Sequence, residues 1–140
     1  MKRPWHKANP VLLEEIESTL DAYADLRLVE ENQTILVRGT FPVLDDRGEV
    51  LDRYQVEVRF PGDYPDSLPH VYETAGRVPP TVDRHTYTPS GRCCVVVDED
   101  WLVKVGEPSF RAFLDGPVRN YFIGQTLVEA GHPCPFGERS

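Results

Sequence analysis

The chain has 140 residues, 40% of them hydrophobic and 27% charged, the make-up of one folded domain with its own core. Fifteen Lys and Arg stand against 23 Asp and Glu, a net charge of −8 that argues against binding nucleic acid or an anionic membrane surface. No apolar run approaches the roughly 20 residues of a membrane helix, and the N-terminus lacks a signal peptide's apolar stretch, so a cytoplasmic protein is expected.

Asn9-Pro10 predicts a helix start, with Asn as N-cap and Pro at the first helical position. Leu12, Leu13, Ile16, Leu20 and Tyr23 then recur at helical spacing, and Glu14, Glu15 and Glu17 favour the positive end of the dipole. From Leu26 the period changes. Residues 34–37 and 40–44 read as extended, Asp45-Asp46-Arg47-Gly48 as a hairpin turn, and 50–60 as the answering strand. Tyr54, Val56, Val58 and Phe60 alternate with Gln55, Glu57 and Arg59, the pattern of a strand with one wet face. A further strand is expected over 68–72.

The stretch from Val78 to Val97 has little periodicity, and a loop of that length in a small domain is functional or disordered. Its Tyr, Val and Cys residues, with Trp101 just beyond, argue against disorder. From Pro108, residues Phe110, Phe113, Leu114, Val118, Tyr121 and Phe122 return to helical spacing, with Gly116-Pro117 expected to kink or split the helix. The order of helix, meander, loop and helix makes an α+β plan in a single domain over residues 1–140.

Three cysteines, Cys93, Cys94 and Cys134, make an odd count with two in direct succession. That is no secreted disulfide framework, so thiols in a reducing compartment are expected. His132 and the cysteines lack the paired C-x-x-C spacing of a structural zinc site, so neither a metal nor a cofactor is expected.

Two segments carry a family resemblance. Phe60-Pro61-Gly62-Asp63-Tyr64-Pro65-Asp66-Ser67-Leu68-Pro69-His70-Val71 resembles the F-P-x-x-Y-P-x-x-P-P-x-V segment of ubiquitin-conjugating enzymes, with Leu68 in place of the first paired proline. Gly91-Arg92-Cys93-Cys94-Val95 is similar to that family's G-x-I-C-L active-site segment. The resemblance covers residues from about 9 to 125. It implies the ubiquitin-conjugating fold: an N-terminal helix, a four-stranded antiparallel meander, an active-site cysteine loop and C-terminal helices. It puts Cys94 at the nucleophile and Cys93 where an aliphatic residue packs. Trp101 falls close to the family's tryptophan. His85 takes the place of the histidine opening the H-P-N motif, but Thr86 and Tyr87 follow it, so the family's oxyanion-steadying Asn is missing. His85, Thr86 or Tyr87 are then the candidate donors, because an oxyanion site needs a placed donor rather than one residue type. The stretch between Val71 and His85 is also longer than usual.

The ending Pro135-Phe136-Gly137-Glu138-Arg139-Ser140 resembles standalone prokaryotic members found in anti-phage operons of the CBASS type, beside a cGAS-like nucleotidyltransferase. The resemblance implies a transferase that holds the C-terminus of such a partner as a thioester and passes it to a lysine of an acceptor protein. Thioester exchange is near neutral in energy, so His85 reads as structural rather than as a base. Cys93 could resolve oxidation or receive the acyl group, but its position next to Cys94 in an extended chain turns it inward. Asp98 and Asp100, with Glu99, read first as a solvated acidic turn, and second as a group that orients an incoming lysine. Two other readings remain open: a binding module of the same fold without transfer chemistry, and a cysteine hydrolase, for which no orienting Asn or Asp stands out.

Overall fold

The computed structural model describes residues 7, 9–64, 67–81, 84, 86, 90–95 and 109–132. Helix α1 (Pro10–Ala22) begins with Pro10 in its first turn. Asn9 occupies the N-cap position, but its side chain makes no capping bond; its carbonyl accepts from Leu12 N–H instead, at 3.2 Å. No acidic residue lies in the first turn, and Glu15 serves a different helix end. Its carboxylate accepts the N–H of Phe110 at 2.5 Å and that of Arg111 at 3.4 Å, so α1 caps the second helix across the core.

Four strands follow: β1 (Leu26–Glu31), β2 (Thr34–Leu44), β3 (Val50–Arg59) and β4 (His70–Glu73). They pair antiparallel in the order β1-β2-β3-β4, a meander in which each strand neighbours the next in sequence. Asn32 and Gln33 turn β1 into β2 with φ of 50° and 64°, a left-handed pair that matches the twist of a tight hairpin. Asp45 closes the β2–β3 turn, its carboxylate accepting from Arg47 and Glu49 N–H at 2.8 and 2.9 Å. Gly39 lets β2 pass the chain just before β1: its φ is +145°, and a Cβ there would lie 2.1 Å from the Asp25 carbonyl oxygen.

Short helix α2 (Phe110–Phe113) is N-capped by Ser109, whose hydroxyl accepts from Ala112 N–H at 3.0 Å. It runs through a π-helical turn (Leu114–Val118) into α3 (Arg119–Glu129). Gly116-Pro117 thus neither splits nor stops the helix. Pro117 lies inside the π turn, where wider i→i+5 bonding accommodates a residue that has no N–H to give.

One core joins these parts. Val37, Phe41 and Val43 of β2, Tyr54, Val56 and Val58 of β3 and Val71 of β4 pack with Ile16 of α1 and the Phe110–Phe122 stretch. Phe122 meets Tyr54 and Phe41 at ring-centroid distances of 4.6 and 5.8 Å. The crossover before β4 is pinned by Tyr64, buried edge-on against Phe60 at 5.0 Å. The expected alternation in β3 holds, with one change. Glu57 belongs to the wet face, yet it is buried because Arg38 and Arg59 close over it at 2.7 Å each. Among the described residues no helix is long and apolar enough to cross a membrane.

Candidate functional site

The segment after the sheet is tied down at several points. Arg77 binds Asp52 and Glu129 at 2.5 and 2.6 Å, donates to the Arg53 carbonyl at 3.0 Å and lies 4.1 Å over the Tyr54 ring. It joins the segment after β4 to β3 and α3 in one contact set. Arg84 is held by Gln125 of α3: its Nε donates to Gln125 Oε1 at 2.6 Å, and Gln125 Nε2 donates to the Arg84 carbonyl at 2.6 Å.

These anchors bring the cysteine pair against the edge of the sheet. Cys93 N–H donates to the Val71 carbonyl at 2.8 Å, and antiparallel bridges pair Arg92 with Tyr72 and Cys93 with Thr86. Residues 92–93 therefore run as a short rung beside β4. The rung ends at Cys93: Val95 N–H bonds back to the Cys93 carbonyl at 3.0 Å, so the chain turns at Cys94, and residues 92–95 all border one recess.

Cys93 goes inward, at 4% exposure, near the Tyr121 hydroxyl. Burial pushes its thiol up to about 11, and the Tyr121 hydroxyl draws it only partly back. A thiol held protonated is a poor nucleophile. Thr86 shares this interior. Its hydroxyl is 2.8 Å from the Tyr121 hydroxyl and donates to the Arg84 carbonyl at 3.1 Å, so its bonding is spent on holding the loop to α3. It does not line the recess that holds Cys94.

Cys94 is half-buried in an open recess of about 260 Å³. One wall is the end of the proline-rich crossover, Ser67, Leu68 and Pro69; Phe113 of α2 and Val95 add apolar surface. His70 and Arg92 line the same recess, with Arg92 Nη1 3.5 Å from His70 Nε2. Burial first, and then the nearby guanidinium, holds His70 below its ordinary value of 6.5. A neutral imidazole suits this contact, since its Nε2 lone pair faces the Arg92 donor.

The sequence reading did not single out His70 and Arg92 as site residues. Both stood inside the two motifs, but only the pairing of β4 with the 92–93 rung sets them beside Cys94. His85, Tyr87, Asp98, Asp100 and Trp101 lie outside the described residues, as do Pro65, Glu99, Cys134 and the C-terminal segment 135–140.

No protein-family model matches the chain, and no curated protein matches it. The chemistry of the site is therefore read from its own geometry: one partly exposed thiol beside a guanidinium, an imidazole and apolar side chains, with the neighbouring thiol buried.

Proposed function

We propose that the protein is a ubiquitin-conjugating-like acyltransferase with Cys94 as its nucleophile. The observation that carries this reading is the opposite fate of two adjacent cysteines. Cys94 opens to a recess bounded by the proline-rich crossover, while Cys93 packs inward as the aliphatic residue before a family nucleophile would. The antiparallel meander, the N-terminal helix and the helix after the cysteine loop support the same reading, because they follow the order that fold requires.

In the proposed reaction the Cys94 thiolate attacks the activated carbonyl carbon of a donor. A carbon–sulfur bond forms, the donor's leaving group departs, and a thioester remains. A lysine amine of the acceptor protein then attacks that carbonyl; the carbon–sulfur bond breaks, the amine loses its proton to solvent, and Cys94 is returned as a thiol. The donor is the C-terminal tail of a partner protein, for which a cGAS-like nucleotidyltransferase of an anti-phage operon is the first candidate. A hydrolase that paired Cys94 with His70 would need an acceptor to orient the ring, and Arg92 offers none.

Co-expression with the candidate nucleotidyltransferase, followed by size exclusion and intact-mass measurement, tests the proposal. The expected result is co-elution through an interface of about 1,200–2,000 Å² and a hydroxylamine-sensitive adduct that needs Cys94 and the partner's tail. Separate elution without an adduct removes the partner. A tight complex without any adduct, for each partner tried, favours a binding module instead.

A further inference from the structure

The recess beside Cys94 has a composition that the transfer reaction alone does not explain. The protein carries a net charge of −8, yet the polar groups facing this recess include a guanidinium and an imidazole, 3.5 Å apart at their nearest nitrogens. Arg92 stands two residues before Cys94, and both line this recess. Leu68 and Phe113 supply apolar surface to the same recess. At about 260 Å³ the space is smaller than most small-molecule sites and suits one or two residues of a peptide end.

We propose that Arg92, with His70 beside it, forms a carboxylate-binding pocket at Cys94 that selects a peptide with a free C-terminal carboxylate. In naming a peptide's C-terminus as the ligand, this inference rests on the acyl-transfer reading. A guanidinium matches a carboxylate with two parallel N–H donors, which gives both strength and orientation. The last side chain of the peptide packs on Leu68 and Phe113, and its terminal carboxyl carbon is held next to the Cys94 sulfur. The pocket accounts for binding and placement of the donor end; activation of the carboxylate is a separate step that these residues do not supply.

Paired alkylating reagents test this on the intact protein without any partner. Iodoacetate carries a carboxylate and iodoacetamide is its neutral counterpart. With either, the Cys94 thiolate sulfur bonds to the methylene carbon and iodide leaves, while the thiol proton goes to solvent. Rates are read at Cys94 by site-resolved mass spectrometry and compared with those of N-acetylcysteine. We expect the iodoacetate-to-iodoacetamide rate ratio at Cys94 to exceed the reference by at least tenfold. Arg92→Gln should return the ratio to the reference value, and Arg92→Lys should keep part of the preference. A merely structural role for Arg92 would change both rates together and leave the ratio alone. Should Arg92→Gln not fold, protection of wild-type Cys94 from iodoacetamide decides the matter: N-acetylglycine should protect and N-acetylglycinamide should not. A wild-type ratio equal to the reference, or equal protection by acid and amide, overturns the pocket. Selection of carboxylate without any partner adduct would remove the transferase and leave the pocket; an adduct without selection would do the reverse.

Discussion

Cys93 and Cys94 are joined by one peptide bond and differ in burial: Cys93 is 4% exposed beside the Tyr121 hydroxyl, and Cys94 is half-buried in the recess with Arg92 and His70. The separation follows from the short rung that residues 92–93 form against β4, since pairing with Val71 and Tyr72 fixes which side chain turns in. Chemistry that depends on a thiolate is thereby confined to one of the two.

At pH 8 a thiol pushed up to about 11 stays protonated, so Cys93 should resist alkylation in the native state and react only on unfolding. Cys94 should be labelled under the same conditions, which peptide mass spectrometry resolves. Cys94→Ala should abolish any thioester adduct, whereas Cys134→Ala should leave it. An adduct that survives Cys94→Ala and is lost in Cys93→Ala would move the nucleophile by one residue.

Tyr64→Ala should destabilise the fold by about 3 kcal/mol, the scale of large aromatic truncations in a core. Tyr64 is buried and meets Phe60 edge-on at 5.0 Å, so its removal leaves a cavity under the crossover that ends at the Cys94 recess. Urea unfolding reads the loss; a change below about 0.5 kcal/mol, the range of ordinary surface substitutions, would contradict the packing described.

Gly39→Ala should cost more than its size suggests. The residue has a φ of +145° and its missing Cβ would sit 2.1 Å from the Asp25 carbonyl oxygen, which itself accepts the Thr40 N–H at 3.0 Å. Backbone must shift at the β1–β2 edge, at a cost on the order of 1–3 kcal/mol for the strained conformation alone. A thermal midpoint equal to wild type would show that β2 does not pass Asp25 in this way.

Hydrogen bonds from Arg77 hold the Asp52 carboxyl below its ordinary value of 3.8, more than offsetting the upward push of burial. With the folded-state value depressed, the unfolded chain binds the proton more readily. The contribution to stability is therefore complete above about pH 4 and is lost as pH falls through the lowered value. Asp52→Asn should be less stable than wild type at pH 6, and the gap should narrow on acidification below pH 4. Urea midpoints across that range measure it, and a gap independent of pH would place the stability of the Arg77 cluster elsewhere.

The sequence by itself determined the kinds of element and their order. Helical spacing from Leu12 to Tyr23, period-two alternation from Tyr54 to Phe60 and the turn residues 45–48 are local signals. Each survives because side-chain direction is set by the backbone period alone. It also marked Cys94 and the crossover, since motif spacing is a property of the chain. Tertiary structure decided what no local pattern carries. Glu15 caps α2 because the two helices meet across the core, 95 residues apart in the chain. Glu57, a wet-face residue by pattern, is buried because register sets Arg38 opposite it, to join Arg59 two residues along the same strand. The Thr86 hydroxyl meets that of Tyr121 on α3, and His70 and Arg92 line the recess with Cys94 without having stood out in the sequence. In each case at least one partner lies 19 or more residues away in sequence. Hydrogen-bonding side chains are claimed by whichever group the fold brings within about 3 Å, and that is fixed only when the strands have paired.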